Sequence, residues 1–148
     1  MTPYVTGGGG FLLAVVWFDL MFDVQVLRHR GGDLPEDVLA SIAGYYRRVT
    51  TAARPMNRLV AAVMVGTLAA IVLELTSGDV AAGVAWTSLA LAGGAVLLAA
   101  LRTVPQAVRL GARTDTVERQ SRLARAICVE HLGVLAALGT LLVVQLAR

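Results

Sequence analysis

Two aspartates and an adjacent glutamate–histidine pair are the residues of this chain whose types and spacing could do chemistry. Asp19 and Asp23 lie in the apolar stretch VVWFDLMFDVQV (residues 15–26), and their spacing places them on one face of a helix. Glu130 and His131 lie in a second apolar stretch near the C-terminus. Carboxylates alone suit Mg²⁺, carboxylates with an imidazole suit Mn, Fe or Zn, and both groups can relay protons or act as bases. Such polar groups need a structural environment that tolerates them within apolar segments.

The composition indicates a membrane protein. The 148 residues are 57% hydrophobic, and the mean hydropathy is +0.71, which exceeds the apolar share of an average soluble domain. The single cysteine, Cys128, excludes an intramolecular disulfide and is too few for a cysteine-based metal site. All 13 residues in the Lys and Arg count are arginine. Because the arginines lie between long apolar runs, the net charge of +3 indicates membrane topology and no nucleic-acid partner.

Four segments are long and apolar enough to cross a bilayer, for which a helix needs about 20 residues. We expect these spans at about 10–27, 59–75, 80–101 and 126–146. The first span lacks a basic start and a small-residue cleavage site, so it is not predicted to be a cleaved signal peptide. The fold class is therefore predicted as all-α: one domain over residues 1–148, built as a polytopic integral membrane four-helix bundle with cytoplasmic helical extensions.

Apart from Arg148, the arginines are confined to two of the segments that connect these spans. The positive-inside rule places such segments in the cytoplasm. The connection TSGD between the second and third spans holds no arginine, and neither does the N-terminal tail. We therefore predict a multi-pass protein of the cell (inner) membrane with both termini on the non-cytoplasmic side. The arginines of the first segment are Arg28, Arg30, Arg47, Arg48, Arg54 and Arg58, and those of the second are Arg102, Arg109, Arg113, Arg119, Arg122 and Arg125.

Both cytoplasmic segments are predicted to contain helices. Asp33 with Glu36, in DLPED, matches the capping-box pattern of a helix start, and so does Asp115 with Glu118, in DTVE. The first helix is expected to continue to about Ala53, with apolar residues at amphipathic spacing. The second is expected to run unbroken into the fourth span.

Glycines and prolines mark the predicted ends and contacts of the spans. GGGG at residues 7–10 is interpreted as a flexible lead-in to the first span. Pro105 and Gly111 are interpreted as a kink and a stop after the third span. Small residues in ALAGGA of the third span, and Gly133 and Gly139 in the fourth, allow helices to approach closely. Because four spans form only a thin bundle, we predict a homo-oligomer in the lipid bilayer.

The polar groups of the spans are predicted to meet at one height in the cytoplasmic half. Asp23 precedes Arg28, and Glu130 follows Arg125, by five residues in each case, which puts both about 7 Å inside the boundary. Charged side chains avoid lipid, so they should face the protein interior and find partners there. The predicted metal or cation site comprises Asp19, Asp23, Glu130 and His131, with Asn57, Arg58 and Arg102 as counter-charges or supporting contacts.

Three functions use these groups, and the sequence leaves them open. The favoured one is binding or conducting a cation or metal ion, in which case the cofactor would be a divalent metal ion. The second is a membrane-embedded enzyme for a lipophilic or aromatic substrate, with Asp or His as general base in a pocket of low polarity. The third is a purely structural role in an interaction or scaffold protein, in which ion pairs such as Asp23 with Arg58 or Arg102 fix the helix packing.

Three stretches of the chain match the layout of a known family. They are the short N-terminal tail with the first span, YYRRVTTAARPMNRL before the second span, and RLARAICVEHLGVLAALG at the start of the last. With these stretches the chain resembles the anthrone-oxygenase-like family of small four-helix membrane proteins, over most of its length. The resemblance implies a membrane-embedded bundle that oxidises an aromatic polyketide without a metal. It assigns no role to the paired aspartates of WFDLMFD.

Overall fold

The computed structural model describes residues 2–147, apart from the side chain of Arg54. The chain is 88% helical, and the described residues contain no strand. The prediction of an all-α chain is thereby confirmed. The α-helices are α1 (Thr2–Asp23), α2 (Glu36–Arg47), α3 (Arg54–Ser77), α4 (Ala82–Leu98), α5 (Val104–Ala112) and α6 (Val117–Leu146).

Four helical stretches are long and apolar enough to cross a membrane, which suggests a multi-pass membrane protein. A 3₁₀-helical turn, Val24–Arg28, extends α1, and a π-helical turn, Ala99–Thr103, joins α4 to α5. The third stretch therefore continues past Pro105, which lies in the first turn of α5, directly after the π-helical turn. The four stretches are Thr2–Arg28, Pro55–Ser77, Ala82–Ala112 and Val117–Leu146.

The buried residues form two separate clusters. In the long-helix core, α1 and α4 each pack against α3 and α6, and the buried side chains include Leu12, Ile71 and Leu138. In the short-helix core, α2 packs against α5 and the first turns of α6, and the buried side chains include Leu39 and Leu110. Because α6 contributes to both clusters, it is the element that connects them.

The predicted flexible lead-in at GGGG is wrong, because these glycines lie inside α1, which begins at Thr2. Gly8 has a packing role: a Cβ at this position would overlap Thr67 Oγ1 of α3. Gly111 is likewise a contact point, since a Cβ there would lie 2.9 Å from the backbone nitrogen of Arg47. The helix ends one residue after Gly111, where Arg113 adopts a left-handed conformation with φ 55°. These two glycines let helices approach closely.

The predicted capping box at α2 is wrong. The helix begins at Glu36, its N-cap is Pro35 without a side-chain cap, and Asp33 lies exposed. Proline suits a helix start because its φ is fixed and its missing N–H would have no partner there. Glu36 instead pairs with Arg113 at the end of α5, which ties the two short helices together.

The predicted capping box at α6 is displaced by one residue. Thr116 is the N-cap, and its Oγ1 accepts a hydrogen bond from the Arg119 nitrogen at 3.4 Å. Both carboxylate oxygens of Asp115 instead accept from Arg109 at 2.7 Å, and this guanidinium holds the pKa of Asp115 below its usual value. The prediction of one unbroken helix through this region is confirmed, since α6 runs from Val117 to Leu146.

Candidate functional site

Asp23 and His131 form a buried hydrogen-bonded pair between α1 and α6. The distance from His131 Nδ1 to Asp23 Oδ2 is 2.6 Å, and both side chains are buried. A carboxylate can only accept a hydrogen bond, so we assign the proton to Nδ1 of the imidazole. In the neutral ring the other nitrogen, Nε2, then carries a lone pair. Asp23 thus fixes both the orientation and the tautomer of His131.

Two tyrosines of α2 complete the polar cluster. The hydroxyl of Tyr46 donates to Asp23 Oδ1, and that of Tyr45 donates to Asp19 Oδ1, each at 2.6 Å. Tyr45 also stacks on Phe22 of α1, with 4.1 Å between the ring centroids. Burial, followed by the charges of the two carboxylates, raises the pKa of both phenols well above their usual value. The phenols therefore remain protonated donors that hold the aspartates in place.

Asp19 and the free face of His131 border a cavity. Asp19 Oδ2 lies 3.7 Å from His131 Nε2, and both residues line a cavity of about 590 Å³. Asp23 is not among the lining residues. The remaining wall is largely apolar, as in many sites for small molecules, which span about 300–1,000 Å³. Apolar side chains of the wall include Phe11, Val16, Val60, Met64, Ala95, Val134 and Leu138.

The first half of α3, which contributes to the cavity wall, is less buried than the second half. None of the residues from Pro55 to Gly66 is buried, whereas Thr67, at the contact with Gly8, and residues beyond it are. Two π-helical turns, Arg48–Ala52 and Ala99–Thr103, also contribute residues to the wall. Such turns displace side chains from the regular helical positions and are frequent at functional sites.

Glu130 belongs to a different group of contacts from its neighbour His131. Its Oε2 accepts from the Thr103 hydroxyl at 2.7 Å, and its Oε1 accepts from Gln106 Nε2 at 3.2 Å. Arg102 approaches the same oxygen, with 3.2 Å from Nε to Oε1. Glu130 is absent from the cavity wall. The structure thus brings Asp19, Asp23 and His131 together and places Glu130 against the π-helical turn Ala99–Thr103 and the start of α5.

The supporting residues named from the sequence also separate. Asn57 lines the cavity and donates from Nδ2 to the Thr50 carbonyl oxygen at 2.8 Å. Arg58 is exposed, and among residues 2–147 it has no ion pair. Arg102 contacts Glu130 and does not reach the aspartates. Among the described side chains, no arginine therefore acts as a counter-charge of Asp19 or Asp23.

Sequence reasoning missed Tyr45, Tyr46 and Thr103 as members of these networks. Tyr46 was detectable as part of the apolar face of the amphipathic helix α2, but such a face predicts burial and no partner. Among the described residues, no group of three or more His, Cys, Asp and Glu side chains is arranged to hold a metal ion. The metal and ion-transport predictions thus gain no support from the geometry.

Comparison with known protein families, with curated proteins and with solved structures gave no match. The resemblance to the anthrone-oxygenase-like family therefore remains a prediction. What the site can do follows from its own geometry: an oriented imidazole and a carboxylate at the polar end of an apolar cavity.

Proposed function

We propose that this protein is a multi-pass, bundle-forming protein of the cell (inner) membrane with both termini on the non-cytoplasmic side. Four apolar helical stretches support the insertion. The arginine-rich segments, which contain α2 and the connection from α5 to α6, support the orientation, because short basic segments are retained in the cytoplasm. The polar cluster then lies at the cytoplasmic end of the long helices.

Within this protein, the proposed activity is proton transfer to or from a lipophilic molecule bound in the cavity. The observation that carries the proposal is the pair of Asp23 and His131, with His131 on the cavity wall and Asp23 behind it. The arrangement corresponds to a base that is oriented by a buried carboxylate. The apolar wall would accommodate the body of the ligand, and the polar end would meet its acidic group.

The chemistry assigns a role to each side chain. Nε2 of His131 removes a proton from an acidic C–H or O–H group of the ligand, since Nδ1 already donates to Asp23. Asp23 stabilises the imidazolium that forms, and Tyr46 holds Asp23 through its second oxygen. Asp19, 3.7 Å from Nε2, is placed to accept the proton from the imidazolium and pass it on. A low-polarity cavity strengthens each of these interactions.

The test uses nitrobenzisoxazole, an apolar carbon acid that reports removal of its ring proton. When the base takes this proton, the ring N–O bond breaks and a coloured cyanophenolate is released. We expect wild-type protein in lipid nanodiscs to accelerate the reaction, and His131→Gln to lower the rate about a hundredfold. His29→Gln is the matched control, because His29 is the second of the two histidines and does not line the cavity. Equal rates for wild type and His131→Gln would refute the proposed base.

The other functions predicted from the sequence have less support. A cation or metal site would need ligands that converge, and the described acidic and histidine side chains do not form such a group. The oxygenase chemistry implied by the family resemblance would use the same base on an aromatic substrate, and it stays a prediction. The homo-oligomer also stays a prediction.

A further inference from the structure

The hydroxyl groups at the polar end of the cavity already donate their protons to carboxylates of the protein. Tyr45 donates to Asp19, and Tyr46 donates to Asp23. Thr103, on the same wall, donates to Glu130. Each of these oxygens can offer only lone pairs to a ligand, because its single proton is engaged.

The other hydroxyl groups of the wall also donate their protons within the protein, in their case to backbone carbonyl oxygens. Thr50 donates to the Tyr46 carbonyl oxygen at 2.6 Å, and Thr67 donates to the Val63 carbonyl oxygen at 2.8 Å. Asn57 donates from its amide nitrogen to the Thr50 carbonyl oxygen, which engages one of its two N–H groups. The wall is therefore rich in acceptors and poor in available donors.

The charged groups of the wall also disfavour an anionic ligand. The chain has no lysine, and among the residues whose side chains the structure describes, no arginine lines the cavity. Asp19 is the one carboxylate on this described wall, and a protonated His131 would face both Asp19 and Asp23. An anionic head group would be repelled by Asp19, and a protonated His131, the cation that the described wall can offer, is already paired with Asp19 and Asp23. Binding an anion there is therefore costly in surroundings of low polarity.

We infer that the cavity selects a lipophile that brings hydrogen-bond donors and no negative charge, namely an alcohol, a phenol or an amine. Fatty acids, lipid phosphates and isoprenoid diphosphates would be rejected although their chains would fit the apolar wall. This inference rests on the proposed function, because it names the ligand class of the same cavity. It follows from donors, acceptors and charges, and not from the shape of the cavity.

The experiment compares probes that share a fluorescent body and differ in the head group. Pyrenebutanol, pyrenebutylamine and pyrenebutyrate are titrated into wild-type protein in neutral-lipid nanodiscs, with empty nanodiscs as the background. Energy transfer from the protein's tryptophans to pyrene reports binding. We expect saturable binding of the alcohol and the amine, at least about tenfold tighter than that of the carboxylate, which corresponds to about 1.4 kcal/mol.

One variant and one control test whether Asp19 causes the preference against the carboxylate probe. Asp19→Asn removes the charge and supplies a donor, so the carboxylate should bind about tenfold tighter than it binds wild type, and the alcohol should not gain. Asp33→Asn makes the same change at an exposed residue that is absent from the cavity wall and should leave all affinities unchanged. Equal or tighter binding of pyrenebutyrate by wild type would overturn the inference while the cavity remains a binding site. Saturable binding of none of the probes would overturn the proposed function and the inference together.

Discussion

His131 Nδ1 and Asp23 Oδ2 lie 2.6 Å apart although 108 positions of the chain separate the two residues. The pair joins the end of α1 to the middle of α6, and Tyr46 reaches it from α2. Three elements therefore have to pack correctly before the imidazole acquires its orientation. The site is a product of the tertiary structure and of no single motif.

Replacing Asp23 by asparagine should destabilise the protein. The amide of asparagine has the same shape, but it lacks the negative charge of the carboxylate. In the buried site this carboxylate accepts hydrogen bonds from both His131 and Tyr46. We expect a loss of about 3 kcal/mol or more in the free energy of unfolding, as for other buried pairs that lose one partner. Equilibrium unfolding in detergent measures this loss, with Asp33→Asn as the exposed control. A variant as stable as wild type would show that the pair contributes nothing to the fold.

The raised pKa values of Tyr45 and Tyr46 predict alkaline unfolding. Both lie in α2, outside the four apolar stretches. The folded phenols keep their protons above the usual pKa of 10.0, whereas the unfolded chain loses them. Below pH 10, the two phenols should therefore make no pH-dependent contribution to the free energy of unfolding. Above it, stability should fall by about 1.4 kcal/mol per pH unit for each phenol that ionises only on unfolding.

The measurement follows the phenolate absorbance of Tyr4→Phe protein, in which Tyr45 and Tyr46 are the tyrosines that remain of the three in the sequence. The absorbance should rise together with loss of helical circular dichroism. A phenolate signal that appears while the helices are intact would contradict the buried placement of the two hydroxyls.

Glu130 and Asp23 should behave as members of separate networks. Glu130→Gln and Thr103→Val remove two partners of one 2.7 Å hydrogen bond, so their effects on stability should couple by about 1 kcal/mol. Glu130→Gln and Asp23→Asn share no hydrogen-bond partner and should be additive within about 0.5 kcal/mol. A double-mutant cycle for each pair gives both values. Strong coupling of Glu130 with Asp23 would support the single cluster expected from the sequence.

The contact of Gly8 with Thr67 gives a prediction with a matched control. Gly8→Ala should destabilise the protein because the added methyl overlaps Thr67 Oγ1. Thr67→Ala should restore part of the loss by removing that oxygen. Gly7→Ala, with open space around its Cβ, should raise the stability of α1 by about 0.5–1 kcal/mol. Equal effects of the two alanines on the melting temperature would show that α1 and α3 are not in close contact here.

The proposed orientation can be tested with single cysteines in a Cys128→Ser background. Asp79→Cys lies in the short connection between α3 and α4, and Asp37→Cys lies in α2. Both positions are exposed. A membrane-impermeant maleimide should label the first in intact cells and the second only after permeabilisation. The reverse pattern would place the arginine-rich segments outside the cell.

The long helices were predictable because their signal is local. A run of about 20 apolar residues identifies a span without reference to any other part of the chain. The bounds of the helices were less predictable. The GGGG stretch lies within α1, where Gly8 contacts Thr67 of α3, a residue 59 positions away along the sequence. Propensity alone cannot distinguish a flexible glycine from one that permits close packing.

Part of the site was also predictable from a local signal, namely the position of each polar residue along its own helix. Counting along each helix placed Asp23 and Glu130 at similar heights, but height does not specify the direction of a side chain around the helix axis. Glu130 and His131 are adjacent, so they point about 100° apart, and the structure gives them different partners. Tyr45 and Tyr46 come from a segment outside the spans, so no argument about depth could have included them.

The two separate cores have a consequence for how the protein could be dissected. The carboxylates and the imidazole are carried by the long helices, whereas the phenols arrive with the layer of short helices. The site thus lies at the interface between two packing units, and separating these units would remove the hydroxyl partners of the acids while the long helices stay folded. A change in the layer of short helices would in this way alter the surroundings of His131, although the long helices carry this residue.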